Sequence, residues 1–237
     1  MRKIKLFCLP YSGASAQFYL QWTQFLEKNI ELIPVELPGR GKRKKEALLT
    51  NFQLLVEDVF NNIKDNLEND YALLGHSMGS LIVFELTQRI ISNNKRKPLH
   101  LFLSGCCPPH ILANTWEKIG SVSNNELAKQ IYKLGGISRE VYKHERLLKK
   151  IINVIRHDYL CIGSYNYRQT YKTLNCDLTV LGGTKDSEAC YKNLLQWKKY
   201  TKGKFSINIL NGNHFFIFDN LDTITTIIKN KLYSIST

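Results

Sequence analysis

Short apolar runs alternate with helical patterns along most of the chain, and this alternation restricts the fold more than any other feature. Strands that alternate with helices are typical of a mostly parallel sheet covered by helices. We therefore predict an α/β fold with a mostly parallel central sheet flanked by helices. The predicted strands are residues 4–9, 30–35, 71–74, 99–103, 178–181 and 205–210.

The predicted helices lie between these runs and after the last of them, with apolar residues at helical spacing. From about residue 108 to residue 167 the alternation lapses, and helical patterns replace strands. An insertion of ~60 residues in such a fold usually has a function, such as that of a lid. We predict a single domain over residues 1–237 that contains this lid insertion, because the length suits one core. The predicted helices are residues 16–28, 51–67, 78–91, 190–199 and 221–232.

The segment Gly75-His76-Ser77-Met78-Gly79 matches the G-x-S-x-G pattern of a nucleophile elbow. A predicted strand precedes it and a predicted helix follows it, which is the setting that the elbow requires. The two glycines leave room for a tight turn that lifts a strained serine clear of the sheet. We therefore predict that Ser77 is the nucleophile. The helix directs free backbone N–H groups towards the reacting centre, so the Met78 N–H is a predicted oxyanion donor.

A serine hydroxyl needs an adjacent base, and six histidines are candidates. The chain order in this fold is serine, then the acid, then histidine. His214 follows the last predicted strand, at the edge where ligands bind in open α/β sheets, and is the predicted base. His76 lies inside the elbow and cannot easily turn back onto the serine, and His100 lies in a predicted strand, where a packing role is expected. The insertion contains the others, which are His110, His144 and His157.

The predicted orienting acid is Asp186, which comes just after the strand that precedes the histidine strand. A carboxylate there can hold the imidazole in the correct tautomer and stabilise the imidazolium. Asp177 comes before the same strand and would lie at the wrong end of the sheet. Glu188 and Asp158 stay open as competitors, Asp158 because a lid residue can fold back over the site.

The formal net charge of +13 bears on the partners of the chain. One dense basic run, residues 40–45, adds to lysine and arginine spread over the whole sequence. Such a field attracts acidic partners, and an acidic carrier protein is one candidate. A solvated basic surface is the alternative. Nucleic acid is not a predicted partner, because the chain has no binding motif and no basic stripe interleaved with aromatic residues.

The six cysteines form no C-x-x-C pair and have no regular spacing, so neither a zinc site nor a disulfide framework is predicted. We interpret them as small hydrophobic side chains. No apolar run approaches the ~20 residues that a membrane span requires. The basic N-terminus resembles a signal peptide, but Lys5 and Pro10 interrupt its apolar run and no cleavage site follows. We read it as the first strand of a cytoplasmic protein.

Five segments resemble those of the type II thioesterases, the stand-alone editing enzymes of nonribosomal peptide and polyketide synthetases. Any one of them is weak evidence, but all five occur in order and are spread over nearly the whole chain. The resemblance implies the α/β-hydrolase fold with a helical lid insertion. The segments are residues 7–16, 34–41, 71–79, 100–105 and 212–216.

The resemblance also implies roles for matching positions. Nucleophile, acid and base are Ser77, Asp186 and His214, in agreement with the residues chosen above. A second oxyanion donor lies in the loop after the first strand, directly after the Pro-aromatic pair, which here is the backbone N–H of Ser12. The family commonly has Ala-Gly-Gly there, whereas this chain has Ser12-Gly13-Ala14. A backbone N–H can serve whatever the side chain.

The implied chemistry is acyl transfer in two steps from the phosphopantetheine arm of an acyl or peptidyl carrier protein to the serine, and then to water. No metal and no organic cofactor is expected, and a monomer is the default. Three alternatives stay open. They are a carboxylesterase of the same fold, a chain-releasing thioesterase, and a protein that binds acyl groups without turnover.

Overall fold

One parallel sheet forms the centre of the computed structural model, which describes residues 3–112, 122–167 and 173–236. Its strands are β1 (Ile4–Leu9), β2 (Ile30–Pro34), β3 (Tyr71–His76), β4 (His100–Ser104), β5 (Asp177–Gly183) and β6 (Phe205–Leu210). The strand order is β2-β1-β3-β4-β5-β6, and each neighbouring pair is parallel. The predicted α/β fold with a mostly parallel sheet is therefore confirmed.

Helices follow the strands close to where the sequence predicts them. They are α1 (Phe52–Ile63), α2 (Met78–Ser92), α3 (Pro109–Leu112), α4 (Asn124–Leu134), α5 (Arg139–Lys143), α6 (Glu145–Gly163), α7 (Tyr191–Leu194) and α8 (Leu221–Ser236). The predicted helix at residues 51–67 is α1 followed by a 3-10 turn, Lys64–Asn66. The predicted helix at residues 190–199 is likewise divided, into α7 and the 3-10 helix Leu195–Tyr200.

The helix predicted at residues 16–28 differs most from the structure, which has a 3-10 helix over Ala16–Phe25. Its buried residues are Ala16, Tyr19 and Trp22, three positions apart. A 3-10 helix has three residues per turn, so this spacing places all three side chains on one side. The Tyr19 hydroxyl also donates a hydrogen bond to the Leu9 carbonyl oxygen at 3.0 Å, which joins this helix to β1.

Both faces of the sheet are buried, since successive residues of a strand point to opposite faces. In β1, Phe7 and Leu9 pack in the core that also contains residues of α1 and α2. Leu6 and Cys8 pack on the other face, in the core that contains residues of α8. Strands with both faces covered read as continuous apolar runs, and this explains the sequence pattern.

The insertion, residues 108–167, carries α3 to α6 and has a small core of its own. That core consists of Leu127, Ala128, Ile131, Ile137, Ile152 and Ile155. Residues 113–121 of the predicted insertion lie outside the described residues. None of the helices described by the structure is long and apolar enough to cross a membrane.

Candidate active site

The turn between β3 and α2 holds Ser77 in a conformation that few residues adopt. Its φ of 52° and ψ of −120° lie outside the regions favoured by residues with a Cβ. A Cβ on Gly75 would lie 2.2 Å from the Gly79 carbonyl carbon. A Cβ on Gly79 would lie 2.2 Å from the Leu9 carbonyl oxygen. Both positions therefore require glycine, as the predicted elbow does.

Ser77, His214 and Asp186, the three predicted catalytic residues, lie in one hydrogen-bonded row. The His214 Nε2 is 3.0 Å from the Ser77 Oγ. The His214 Nδ1 is 3.0 Å and 3.2 Å from the two Asp186 carboxylate oxygens. The carboxylate is fully buried and the imidazole side chain is 9% exposed. One ring nitrogen can therefore accept the serine proton while the other donates to the carboxylate.

Backbone N–H groups hold the Asp186 carboxylate in place. Its Oδ1 accepts hydrogen bonds from the N–H of Glu188 at 2.9 Å and of Ala189 at 3.1 Å. Glu188, a competitor for the role of acid, thus supports Asp186 through its backbone. Asp177 begins β5, at the end of the strand away from Asp186, and its carboxylate accepts from the Lys204 N–H at 2.8 Å.

Two further histidines pack in the sheet, and one of them, His76, lies beside this row. The His76 ring lies 5.3 Å from the His214 ring, and its Nδ1 is 2.9 Å from the Ser104 Oγ. Burial, with a smaller effect of His214, lowers the pKa of His76 well below its usual range. The His76 ring is therefore neutral and adds no positive charge beside His214. His100 stacks on Phe102 at 4.4 Å in β4, in the packing role that its strand position predicts.

Ser12, the second predicted oxyanion residue, lies beside the start of α2. Its hydroxyl is 3.6 Å from the Met78 Sδ. Both residues line the same cavity as Ser77 and His214. The loop after β1 can approach the elbow this closely because Gly79 has no side chain. The structure therefore brings the two residues that carry the predicted donors together beside the serine.

A cavity of about 350 Å³ opens beside the serine hydroxyl. Its volume is at the lower end of the ~300–1,000 Å³ that ligand pockets usually have. Apolar side chains from α2, α3, α4 and α6 form much of its wall, namely Leu81, Ile111, Leu112, Ile131, Leu134 and Ile162. Such a pocket suits a short apolar group attached to the reacting atom.

Cys106 and Cys107 also line this cavity. Burial raises the pKa of Cys106 well above its usual range and that of Cys107 to about 11. Both thiols are protonated at neutral pH, so neither competes with Ser77 as a nucleophile. All six cysteines are free and five are buried, in agreement with the prediction that they act as small hydrophobic side chains.

The thioesterase domain family matches residues 4–232 of the chain, from the first strand to the last helix. The chain belongs to the thioesterase family. The predicted activity of a thioester hydrolase is thereby confirmed, and the family match together with the relatives described next confirms the resemblance drawn from the five segments. The match includes both the sheet and the insertion.

Relatives of this thioesterase come from biosynthetic pathways. Gramicidin S biosynthesis protein GrsT of Aneurinibacillus migulanus is 34% identical over 92% of this chain and 84% of its own length. The crystal structure of ClbQ from the colibactin NRPS/PKS pathway superposes on this structure with a TM-score of 0.91. The two sequences are 30% identical, and the match covers 99% of this chain and 98% of the ClbQ chain. The type II thioesterase BorB from the borrelidin biosynthetic cluster is 29% identical to this chain, and its structure matches with a TM-score of 0.88. That match covers 97% of this chain and 93% of the BorB chain.

The thioesterase also has a buried ion pair that sequence reasoning missed. Arg40 belongs to the dense basic run, but its side chain is only 7% exposed and pairs with Asp158. Arg43 of the same run pairs with Asp58 and Glu46. The interpretation of the run as a basic surface is therefore wrong for Arg40, and Arg43 is partly exposed but paired with two carboxylates. The one local signal is that Arg40 stands between two glycines in a segment that resembles the family.

Asp158, the competitor in the insertion, has no hydrogen bond to His214. Its carboxylate contacts Arg40 and the loop after β1 instead. Of the candidates for the orienting acid, Asp186 alone has a hydrogen bond to the His214 imidazole among the described residues.

Proposed function

We propose that this thioesterase hydrolyses acyl groups from the phosphopantetheine arm of carrier proteins and so edits misacylated nonribosomal peptide or polyketide synthetases. The observation that carries the proposal is the row formed by Ser77, His214 and Asp186, which opens onto a small apolar cavity. A serine beside a base, next to a pocket for a short acyl group, suits attack on an acyl thioester.

The pathways of the relatives support the choice of substrate. Proteins from gramicidin S, colibactin and borrelidin biosynthesis match nearly the whole of this chain. The net charge of +13 would favour encounter with an acidic carrier protein. Acyl or peptidyl carrier proteins are therefore the proposed partners.

In the proposed first step, the His214 Nε2 takes the proton of the Ser77 hydroxyl as Oγ attacks the thioester carbonyl carbon. Asp186 stabilises the imidazolium that forms. The backbone N–H groups of Met78 and Ser12 hold the negative oxygen of the tetrahedral intermediate. One such donor is typically worth about 3–4 kcal/mol of barrier. The carbon–sulfur bond then breaks, and the thiolate takes the proton from His214 to leave as the free thiol.

In the second step, the acyl group on the Ser77 Oγ is transferred to water. His214 takes a proton from the water as it attacks, and the same two N–H groups hold the second tetrahedral oxygen. The bond to the Ser77 Oγ then breaks, and His214 returns the proton to it. The products are a carboxylic acid and a carrier protein with a free thiol.

Three further features belong to the proposal. The insertion acts as a lid, since side chains of α4 and α6 form part of the cavity wall. The enzyme acts as a monomer within a single thioesterase domain, because one chain supplies every residue of the proposed site. The location is cytoplasmic, which six free cysteines support.

Two related activities compete with the editing role. A chain-releasing thioesterase must hold a long peptidyl or polyketide chain, whereas a cavity of about 350 Å³ suits a short acyl group better. A carboxylesterase would act on soluble esters and would gain nothing from a carrier protein.

The test is hydrolysis of acetyl-, hexanoyl- and peptidyl-phosphopantetheinyl carrier proteins, with a p-nitrophenyl ester in parallel and Ser77→Ala as the control. We expect wild type to prefer short acyl carrier proteins to the ester and to the peptidyl carrier, and the variant to be inactive. Preference for the simple ester would support a carboxylesterase, and preference for the peptidyl carrier would support chain release. No turnover of any substrate would support a binding protein.

A further inference from the structure

A buried carboxylate joins the insertion to the loop that carries Ser12. Asp158 lies on α6, and its side chain is only 2% exposed. Its Oδ2 accepts a hydrogen bond from the Gly13 N–H at 2.7 Å. Gly13 directly follows Ser12, whose N–H is the proposed second oxyanion donor. The insertion therefore contacts the oxyanion loop, residues 10–15, one residue from the group that would act.

Arg40 fixes the direction of this carboxylate. Its Nη1 donates to the Asp158 Oδ2 at 2.7 Å and its Nη2 donates to Oδ1 at 2.5 Å. Such a paired contact sets the plane of the carboxylate as well as its position. The Arg40 Nη1 also lies 3.5 Å from the Ala14 carbonyl oxygen. The ion pair thus contacts two successive residues of the oxyanion loop.

The loop also packs directly against α6 at Gly13. Gly13 has a φ of +83°, and a Cβ there would lie 2.4 Å from the Ile155 Cγ1. Ile155 and Asp158 are three residues apart and so lie on the same face of α6. Glu36 holds the far end of the loop, where it accepts from the Ser15 hydroxyl at 2.6 Å and the Ala16 N–H at 3.0 Å. The oxyanion loop is therefore held at Gly13 by α6 and at its far end by Glu36.

Stability alone does not account for this arrangement. The cost of removing two charges from water offsets much of their attraction, so a buried ion pair contributes little net free energy of folding. Its effect is on geometry, because both partners must stay in place to satisfy each other. A misplacement of about 1 Å at a reacting centre can cost a hundredfold in rate.

We propose that Asp158 is a positioning residue for the oxyanion hole, which with Arg40 aims the Ser12 N–H at the tetrahedral intermediate. This rests on the proposed function, in which that N–H stabilises the oxyanion. Asp158 does not touch the acyl group in this role; it acts through Gly13. Efficient hydrolysis then requires α6 of the insertion to pack against the oxyanion loop.

The main variant is Asp158→Asn, which keeps the size of the side chain and removes its charge. The matched control is Asp58→Asn, because Asp58 forms a similar paired contact with Arg43, at 2.6 Å and 2.7 Å, between α1 and the loop after β2. Thermal unfolding of both variants measures what each loses in stability. The kinetic measurements are kcat and KM with an acyl carrier protein.

A second measurement separates positioning from general damage. An alkyl trifluoromethyl ketone forms a tetrahedral adduct with an active serine, whereas the matching methyl ketone stays trigonal. We define the ketone ratio as the inhibition constant of the methyl ketone divided by that of the trifluoromethyl ketone. A large ratio means that the site stabilises a tetrahedral oxygen well. Loss of an oxyanion donor typically lowers kcat by about a hundredfold to a thousandfold. For a displaced donor we expect a loss of at least tenfold in kcat and in the ketone ratio.

We expect Asp158→Asn to show this loss in kcat and in the ketone ratio, while its KM and its affinity for the methyl ketone stay within about threefold of wild type. For the control Asp58→Asn, we expect kcat, KM, the ketone ratio and the methyl ketone affinity all to stay within about twofold of wild type. If folded Asp158→Asn keeps kcat and the ketone ratio within twofold of wild type, the inference is wrong. It is equally wrong if Asp58→Asn produces the same loss.

If Asp158→Asn does not fold, Arg40→Lys takes its place, since lysine keeps the charge but loses the paired contact. We expect the same pattern with a loss of at least threefold, and an unchanged ketone ratio overturns the inference. Wild type and Ser77→Ala separate this outcome from failure of the proposed function. Absence of carrier-protein hydrolysis by wild type, or activity of Ser77→Ala, contradicts the proposed function itself.

Discussion

The imidazole ring of His214 connects the other two residues of the proposed catalytic row. The Ser77 hydroxyl lies on one side of His214 and the Asp186 carboxylate on the other. The ring can serve as base only if the proton is on Nδ1, and a hydrogen bond to a carboxylate favours that tautomer. In the proposed mechanism Asp186 therefore orients His214 as well as stabilising the imidazolium.

At this scale we expect Asp186→Asn to lower kcat by about a thousandfold to ten-thousandfold, because an amide can favour the wrong tautomer. The matched control is Glu188→Gln, two residues away, at a residue that lines the cavity. It should keep kcat for an acetyl carrier protein within about fivefold. Steady-state kinetics of the two variants decide which carboxylate orients His214, and a larger loss in Glu188→Gln would reverse the assignment.

A second prediction concerns His100 and the dependence of stability on pH. Burial lowers the pKa of His100 to about 4, with Lys231 acting in the same direction and Asp177 opposing it. In the unfolded chain the ring binds a proton near pH 6.5, whereas in the folded state it stays neutral until pH 4. Its contribution is therefore complete above about pH 6.5 and is lost as the pH falls towards 4.

The expected loss from this residue is about 2 kcal/mol of the free energy of unfolding between pH 7 and pH 5. Urea unfolding of wild type and His100→Gln at pH 8, 7, 6 and 5 measures it. Comparison at pH 8 isolates the lost packing, since histidine is neutral in both states there. Equal pH slopes for the two proteins would show that His100 does not carry the effect.

At the scale of elements, the junction of β3 and α2 determines where the serine stands. A Cβ on Gly79 would meet backbone atoms of Leu9 and Pro10, and a backbone cannot move aside as a side chain can. We expect Gly79→Ala to lower kcat/KM by at least about a hundredfold and to destabilise the fold by over ~2 kcal/mol, since strain of this kind is among the larger single effects.

The control for this prediction is Gly163→Ala at the end of α6, where an added Cβ meets nothing within 4 Å. Alanine favours a helix over glycine by up to about 1 kcal/mol, so this variant should be as stable as wild type or more stable. Thermal unfolding and carrier-protein hydrolysis of both variants test the comparison. Normal activity of Gly79→Ala would mean that the turn can relax.

At the scale of the whole molecule, the net charge of +13 acts on encounter rather than on the chemical step. Arg40 and Arg43 are paired, but exposed lysines such as Lys42, Lys44 and Lys45 keep the surface basic. An acidic carrier protein should therefore meet the enzyme faster at low salt, while an uncharged substrate should not.

We expect kcat/KM for an acyl carrier protein to fall at least about fivefold between 50 mM and 500 mM NaCl, as salt screens the attraction. The same acyl group on pantetheine, which has no charge, is the control and should change less than about twofold. Stopped-flow or steady-state assays at several salt concentrations measure both. Parallel salt dependence for the two substrates would contradict electrostatic steering of the carrier.

Local chemistry in the sequence determined most of the fold and the three residues of the row. Apolar runs with both faces buried predict parallel strands, and β1 and β6 have the predicted bounds. Chain order at the carboxyl ends of the strands predicts that Ser77, Asp186 and His214 meet. These features depend on short segments and on the topology that parallel strands impose, so sequence is enough to find them.

Contacts between distant segments were decided only by the tertiary structure. Arg40 and Asp158 are 118 residues apart, and each looks like an ordinary charged residue in its own segment. Burial between the insertion and the oxyanion loop turns them into an ion pair and attaches Asp158 to Gly13. The hydrogen bond from Tyr19 of the first helix to the Leu9 carbonyl oxygen of β1 is likewise a contact of the folded chain. Propensity and spacing describe neighbours along the chain, whereas burial and pairing depend on what the fold brings beside them.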